Sequence, residues 1–189
     1  MKGEQKNMAK RKSKKGFSGA SNLCVALSVL MGIAVFVMMF FTNIKETNSD
    51  KLVEFSDLFF GRTESASGVA SLTITGTFLG FVAYLVVFIA AFFLVLVMLN
   101  KKTKYRKIMC FILGLLMIAG GVVILFIPQL YAGVQNVVKT PTLSGGTTTT
   151  LTDKVGTYTL TAMTITSGIV AIVGGALSIF SLVANKLFK

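Results

Sequence analysis

The stretch FLGFVAYLVVFIAAFFLVLVML, residues 78–99, decides the fold. It runs for twenty-two residues with no formal charge and no proline, and its only hydroxyl is that of Tyr84. A helix on the surface of a soluble domain keeps one polar face. This stretch is apolar all round and long enough to cross the ~30 Å hydrocarbon core of a bilayer at ~1.5 Å per residue. Three further stretches share its character: NLCVALSVLMGIAVFVMMFFT (22–42), IMCFILGLLMIAGGVVILFI (108–127) and MTITSGIVAIVGGALSIFSLVA (163–184). Each lies in a gap between charges. No charged residue falls between Lys15 and Lys45, between Glu64 and Lys101, between Lys107 and Lys139, or between Lys154 and Lys186. Helices are predicted over strands because hydrocarbon offers no partner to an unpaired backbone group, and barrel strands are shorter and alternate in polarity.

The composition agrees. The 189 residues are 53% apolar and 14% charged, against about 25% charged in soluble domains. So much apolar content excludes a disordered chain, and two cysteines exclude a disulfide scaffold. The absence of histidine excludes imidazole chemistry and histidine-bound metal. The start, MKGEQKNMAKRKSKKG, resembles the basic head of a signal peptide, but the apolar run after it is too long and no A-x-A-like site follows. The first span is therefore read as retained.

Basic residues set the orientation. Seven lie in the N-terminal tail, including Lys10, Arg11, Lys12, Lys14 and Lys15. Five lie in the 100–107 turn (Lys101, Lys102, Lys104, Arg106 and Lys107), and two more, Lys186 and Lys189, lie at the C-terminus. The two long loops hold five between them. Cytoplasmic segments carry the excess of Lys and Arg, so both termini and the 100–107 turn are expected in the cytoplasm, with the long loops outside a cell membrane. The expected organisation is a basic tail (1–21), a first span (22–42), an outer loop (43–77), a second span (78–99), the basic turn (100–107), a third span (108–127), an outer loop (128–162), a fourth span (163–184) and a short tail (185–189). The basic segments are read as topology signals that bind anionic lipid headgroups. The tail has no aromatic residue among its cations to stack on bases, so no nucleic-acid partner is expected.

Between helices in lipid, close packing of small residues replaces the hydrophobic drive. Such residues recur at helical spacing: Ser28 and Gly32 in the first span, Gly114 and Gly121 in the third, and Gly168, Ala171, Gly175 and Ser178 in the fourth. They are read as helix contacts, with the fourth span central. No Asp, Glu, Lys, Arg or His lies in any span, which excludes coupled carriers and voltage sensors. Cys24 and Cys110 are read as packing residues and not as a bridge, given a reducing cytosol.

The outer loops, about 35 residues each, are long for idle connectors. SLTITGT (71–77) and TYTLT (157–161) alternate threonine with aliphatic residues, as strands do. TTTTLT (147–152), followed by DKVG, suggests a hairpin with 157–161. Pairing between the two loops in one small outer sheet would stabilise both. KLVEFSDLFFG (51–61) reads either as a short surface helix with Leu52, Phe55 and Phe59 on one face, or as a buried loop segment. The fold class expected is an all-α membrane protein whose two outer loops carry short β-strands forming a small sheet.

The VFVMMFF stretch at 35–41, the threonine-rich strands and the glycine-rich last helix resemble small four-helix membrane proteins of low-GC Gram-positive bacteria and mollicutes. The layout is also similar to claudin-like tetraspans, although neither outer loop contains the Trp and Cys of their signature. That likeness implies topology alone. No histidine, metal cluster, GxSxG elbow or phosphate loop is present, so neither an enzyme nor a cofactor is expected. The expected role is contact with partners, either a membrane protein or a second copy of the chain. The alternative is a small passive channel or auxiliary transporter subunit, whose polar path would have to come from Ser28, Tyr84, Thr164, Thr166, Ser167, Ser178 and Ser181.

Overall fold

The computed structural model describes residues 19–47, 52–66, 70–74, 76–99, 103–132, 136–141, 147–152 and 157–187. Four helices are long and apolar enough to cross a membrane: α1 (Gly19–Met39), α3 (Phe78–Leu99), α4 (Thr103–Leu125) and α6 (Ala162–Leu187). The connection from α1 to α3 contains β1 (Ile44–Glu46), β2 (Leu52–Val53), the short helix α2 (Phe55–Phe60), β3 (Arg62–Ala66) and β4 (Ala70–Ile74). The connection from α4 to α6 contains α5 (Ile127–Ala132), β5 (Asn136–Pro141), β6 (Thr147–Thr152) and β7 (Tyr158–Leu160).

The long helices form a ring in which α4 packs most extensively on α6, α6 also packs on α1, and α3 bridges α1 and α4. Val25, Val35, Val87, Leu94, Met117 and Ile124 are fully buried along its axis. The outward faces are equally apolar, with Leu23, Leu30, Phe92, Phe111 and Ile169 among many large exposed side chains. Water would not tolerate so much apolar surface; lipid does. The protein is a multi-pass membrane protein.

Helix ends follow local chemistry. The first helix lies three residues earlier than the expected 22–42. Three successive i→i+3 bonds, Phe40 N to Val37 O, Phe41 N to Met38 O and Thr42 N to Met39 O (3.3, 3.0 and 3.1 Å), tighten its last turn. The chain then extends into β1. The third helix begins earlier than expected, inside the 100–107 turn. It breaks at Phe126, before Pro128, whose ring has no N–H to give and would crowd the preceding turn. The backbone resumes as α5, a helix that the loop sequence did not announce.

The strands form two antiparallel sheets at one end of the bundle, ordered β2-β1-β7 and β3-β4-β5-β6. Each joins the two long connections, through β1–β7 (Ile44↔Leu160) and β4–β5 (Leu72↔Val138). The two connections pair as expected, though through two sheets among the described residues and not one, and the expected hairpin of 147–152 with 157–161 is not formed. Instead β6 pairs with β5, from Asn136↔Thr152 to Pro141↔Thr147. The NVVKT run of β5 supplies β-branched residues close in sequence, a partner that the threonine pattern concealed. Meanwhile β7 leads directly into α6, which packs on α1, so it is delivered beside the strand that follows α1. Thr161 and Thr164 hydroxyls both donate to the Asn43 carbonyl (2.9 and 2.6 Å) and fasten this junction.

Within 51–61 the helix starts only at Phe55, so Leu52, in β2, is not part of its face. Leu58 and Phe59 are buried and Phe60 is exposed. Gly61 ends the helix with φ 73°, a conformation that favours glycine, and its N–H reaches Asp57 O at 3.1 Å. The Leu58 carbonyl then receives both the N–H and the hydroxyl of Thr77 (2.7 and 3.0 Å), tying α2 to the start of α3.

The register pairs Lys45 with Thr159. A Lys45→Cys/Thr159→Cys double variant is expected to form an intramolecular disulfide under mild oxidation, read as a mobility shift on non-reducing gels. Failure to cross-link would contradict the pairing of the two connections there.

Candidate functional site

The residues singled out for helix contact lie in the seams of the bundle. Between α4 and α6 two glycine pairs face each other, Gly114 with Gly175 and Gly121 with Gly168. A methyl group on Gly114 would sit 2.8 Å from the Gly175 carbonyl oxygen, and one on Gly175 would sit 2.5 Å from that of Gly114. For Gly121 and Gly168 the corresponding distances are 2.8 and 3.2 Å. Each helix spaces its two glycines by seven residues, so two antiparallel backbones meet at two levels, two turns apart. Ala171 closes the gap between them, and a methyl group on Gly121 would sit 3.0 Å from its Cβ. The Ser178 hydroxyl extends the seam by donating to the Cys110 carbonyl at 2.9 Å. In the centre, Gly32 is covered by Ala91 and Met117, and Ser28 Oγ donates to Met117 Sδ at 3.6 Å. A methyl group on Gly174 would sit 3.0 Å from the Met117 methyl and 3.1 Å from Met31 Cβ.

A second cluster sits towards the strand end. The fully buried Tyr84 hydroxyl lies 2.7 Å from Thr42 Oγ1 and 2.7 Å from Ser167 Oγ, joining α3 to the end of α1 and to α6. Ser167 also reaches its own Thr164 carbonyl at 2.9 Å. Of the seven hydroxyls weighed as a polar path, Ser28, Tyr84, Thr164, Ser167, Ser178 and Ser181 are buried in bonds within the protein. Thr166 bonds back to Ala162 O at 2.7 Å on the exposed face. Thr42 and Asn43, which complete the cluster, carried no periodic signal; their only mark is a polar pair at the end of an apolar run.

At the opposite end, Ser21 Oγ donates to the Ser181 carbonyl at 2.9 Å, closing α1 on α6. Arg106 departs from its expected place among the headgroup cations. It is 7% exposed, and its guanidinium donates to the Asn22 side-chain oxygen between α4 and α1. Its neighbours Tyr105 and Lys107 are exposed. Lys10, Arg11, Lys12, Lys14, Lys15, Lys101 and Lys102 lie outside the described residues, as does the side chain of Lys104. Among the described residues no three Cys, Asp or Glu gather to hold a metal ion.

The strand end is stitched by aromatic rings. Phe59 lies edge-on to Tyr84 (6.0 Å between centroids) and to Phe55 (5.3 Å), while Phe36 stacks on Phe88 at 4.2 Å. Tyr131 of α5 meets Tyr158 of β7 edge-on at 4.9 Å. Burial pushes the Tyr131 phenol up to about 12, with Tyr158, Asp57 and Glu46 adding to the effect. Burial and Glu46 also raise Tyr158.

No family model, no curated protein and no solved structure matches this chain.

Two predictions follow from this geometry. Gly175→Leu must separate two backbones and is expected to cost about 3 kcal/mol, whereas Tyr84→Phe removes one shared hydroxyl and is expected to cost about 1 kcal/mol. Thermal unfolding in detergent ranks them, and the reverse order would contradict the glycine seam. The second concerns alkali. An unfolded tyrosine ionises near ~10, below the folded Tyr131, so stability is complete below about pH 10 and declines as the pH rises towards 12. Tyr131→Phe should flatten that decline in melting curves recorded across this range.

Proposed function

We propose that the protein is a non-catalytic multi-pass protein of a cell membrane that acts by contact, with its strand-bearing end turned outward as the partner-binding surface. In this reading both termini and the 100–107 turn face the cytoplasm, and the cations of the tail and of the turn other than Arg106 rest on anionic headgroups. The observation that carries the reading is the closed polar interior. The buried hydroxyls within the spans are engaged with other protein groups and hold helices together, which leaves them poorly suited to escort a solute or activate a substrate. Support for the outward role comes from the two long connections, which are joined by two sheets into a shaped surface. Support for the orientation comes from the charge distribution, fourteen basic residues on one side of the four spans and five on the other. The partner expected is a membrane protein or a second copy of this chain.

Orientation is tested with Lys104→Cys and Lys139→Cys, each in a variant lacking Cys24 and Cys110, using a membrane-impermeant maleimide on intact cells. Lys139→Cys should label at once and Lys104→Cys only after lysis; labelling both on one side would refute the topology. Function is tested by purification in mild detergent with mass spectrometry. A stoichiometric membrane-protein partner or a stable oligomer, lost when 136–152 is replaced by a short linker, is expected. A partner-free monomer that conducts ions across liposomes would refute the reading.

A further inference from the structure

We propose that the short helix α2 is seated in the bilayer, where the outward rings of Phe40, Phe60 and Phe78 form an aromatic anchor among the acyl chains just below the headgroups of the leaflet on the strand side. The rings come from three elements and are joined into one arc. Phe40, at the end of α1, lies 5.5 Å from Phe55, and Phe55 lies 6.0 Å from Phe60 at the other end of α2, centroid to centroid. Phe60 lies 5.3 Å from Phe81, which lies 5.9 Å from Phe78, both in the first turn of α3. Phe55 and Phe81 are partly buried and carry the arc, while Phe40, Phe60 and Phe78 are each more than half exposed. What α2 is tied to sets its depth. The Leu58 carbonyl holds the N–H and hydroxyl of Thr77, and a methyl group on Gly80 would sit 2.8 Å from the Phe59 ring. The helix therefore lies level with the first turn of α3, whose apolar span begins at Phe78. Phe60, exposed at this level, is within the depth of the span and not above it.

Continuity with the lipid-facing surface identifies the occupant. Below Phe40 the exposed side chains of α1 are Val37 and Ile33, and beyond Phe78 those of α3 are Leu79 and Ile89. The arc thus runs on into the faces that the spans turn to hydrocarbon, and neither span carries a charge. A large apolar patch made for a docking protein is typically rimmed by polar residues; this one has no such rim on its span side. The exposed face of α2 also changes character along its length. Ser56, one turn before Phe60 on the same face, is polar and exposed, so the helix passes from a side chain suited to water to one suited to lipid. The type of ring sets the depth. Tyrosine and tryptophan carry a polar tip that holds them among the headgroups, whereas phenylalanine has none and settles just beneath. This seat holds for either direction of insertion and for any partner, which would then meet the strands and not the exposed flank of α2.

The chain has no tryptophan, so a single one can report on the arc. Phe60→Trp places an indole at its centre. Two controls bracket it: Phe92→Trp on the exposed face of α3 near mid-span, and Thr159→Trp at an exposed position of β7. Each variant is reconstituted in phosphatidylcholine vesicles whose acyl chains carry bromine either near the headgroup or near the methyl end, with iodide as the aqueous quencher on both sides. Phe60→Trp is expected to be quenched best by the shallow bromines. Its quenching by iodide should be about tenfold weaker than that of Thr159→Trp, the population ratio that half-burying one aromatic ring supplies. Phe92→Trp should respond best to the deep bromines. Iodide quenching at Phe60→Trp equal to that at Thr159→Trp would overturn the proposal by placing α2 in water. Quenching by neither bromine nor iodide would also overturn it, by showing that protein covers the arc. If Phe60→Trp does not fold, Phe60→Cys in a variant lacking Cys24 and Cys110, labelled with a nitroxide, gives the same comparison from its accessibility to oxygen and to a water-soluble nickel chelate.

Discussion

Between helices in a bilayer the surrounding hydrocarbon is as apolar as the side chains, and association has to come from contact itself. The antiparallel meeting of α4 and α6 at Gly114–Gly175 and Gly121–Gly168 is the contact on which the rest of this bundle depends. With no side chain between them the backbones come within van der Waals reach, and every atom along the seam gains partners on both sides. Once that pair is set, α6 can present its other side to α1, and α3 closes the ring against α1 and α4. Methionine serves where glycine leaves space: Met117 reaches Gly32, Gly174 and the Ser28 hydroxyl, filling a junction of three helices with one flexible thioether side chain.

Polar groups occupy three levels of the structure. Near the turn, Arg106 meets Asn22 and Ser21 meets Ser181; in the middle Ser28 meets sulfur; near the strands Tyr84 joins Thr42 and Ser167. Each bond crosses between helices distant in sequence, and each adds direction where dispersion has none. In membrane proteins such bonds average about 0.6 kcal/mol, so their main effect is on register. A helix sliding by one residue along its neighbour would strand several hydroxyls in hydrocarbon at once.

How much of this was legible beforehand follows from what kind of signal each feature leaves. The spans were legible because exclusion of charge over twenty residues is a property of the chain alone. The inward stripes were legible because small residues repeat at the helical period, as Gly168, Ala171, Gly175 and Ser178 do. The long range of Arg106 was not: its sequence neighbours, Lys104 and Lys107, look identical to it, and only the three-dimensional meeting with Asn22 separates a buried cation from a headgroup cation. The pairing of β6 with β5 was hidden for a similar reason. Threonine alternation marks a strand but does not name its partner, and the partner was decided by α6 carrying β7 to β1.

The two sheets also solve a problem of chain length. The ends of α1 and α6 at the strand side are more than one hundred residues apart in sequence, and closing so long a loop costs entropy that a single contact barely offsets. The β1–β7 ladder, the Thr161 and Thr164 bonds to the Asn43 carbonyl and the Thr42–Tyr84–Ser167 chain lie within a few residues of one another on both sides of that junction. Forming any one brings the others within reach, so the closure entropy is met once for all of them. The same bonds tie the β1–β7 side of the strand end to the first turn of α6.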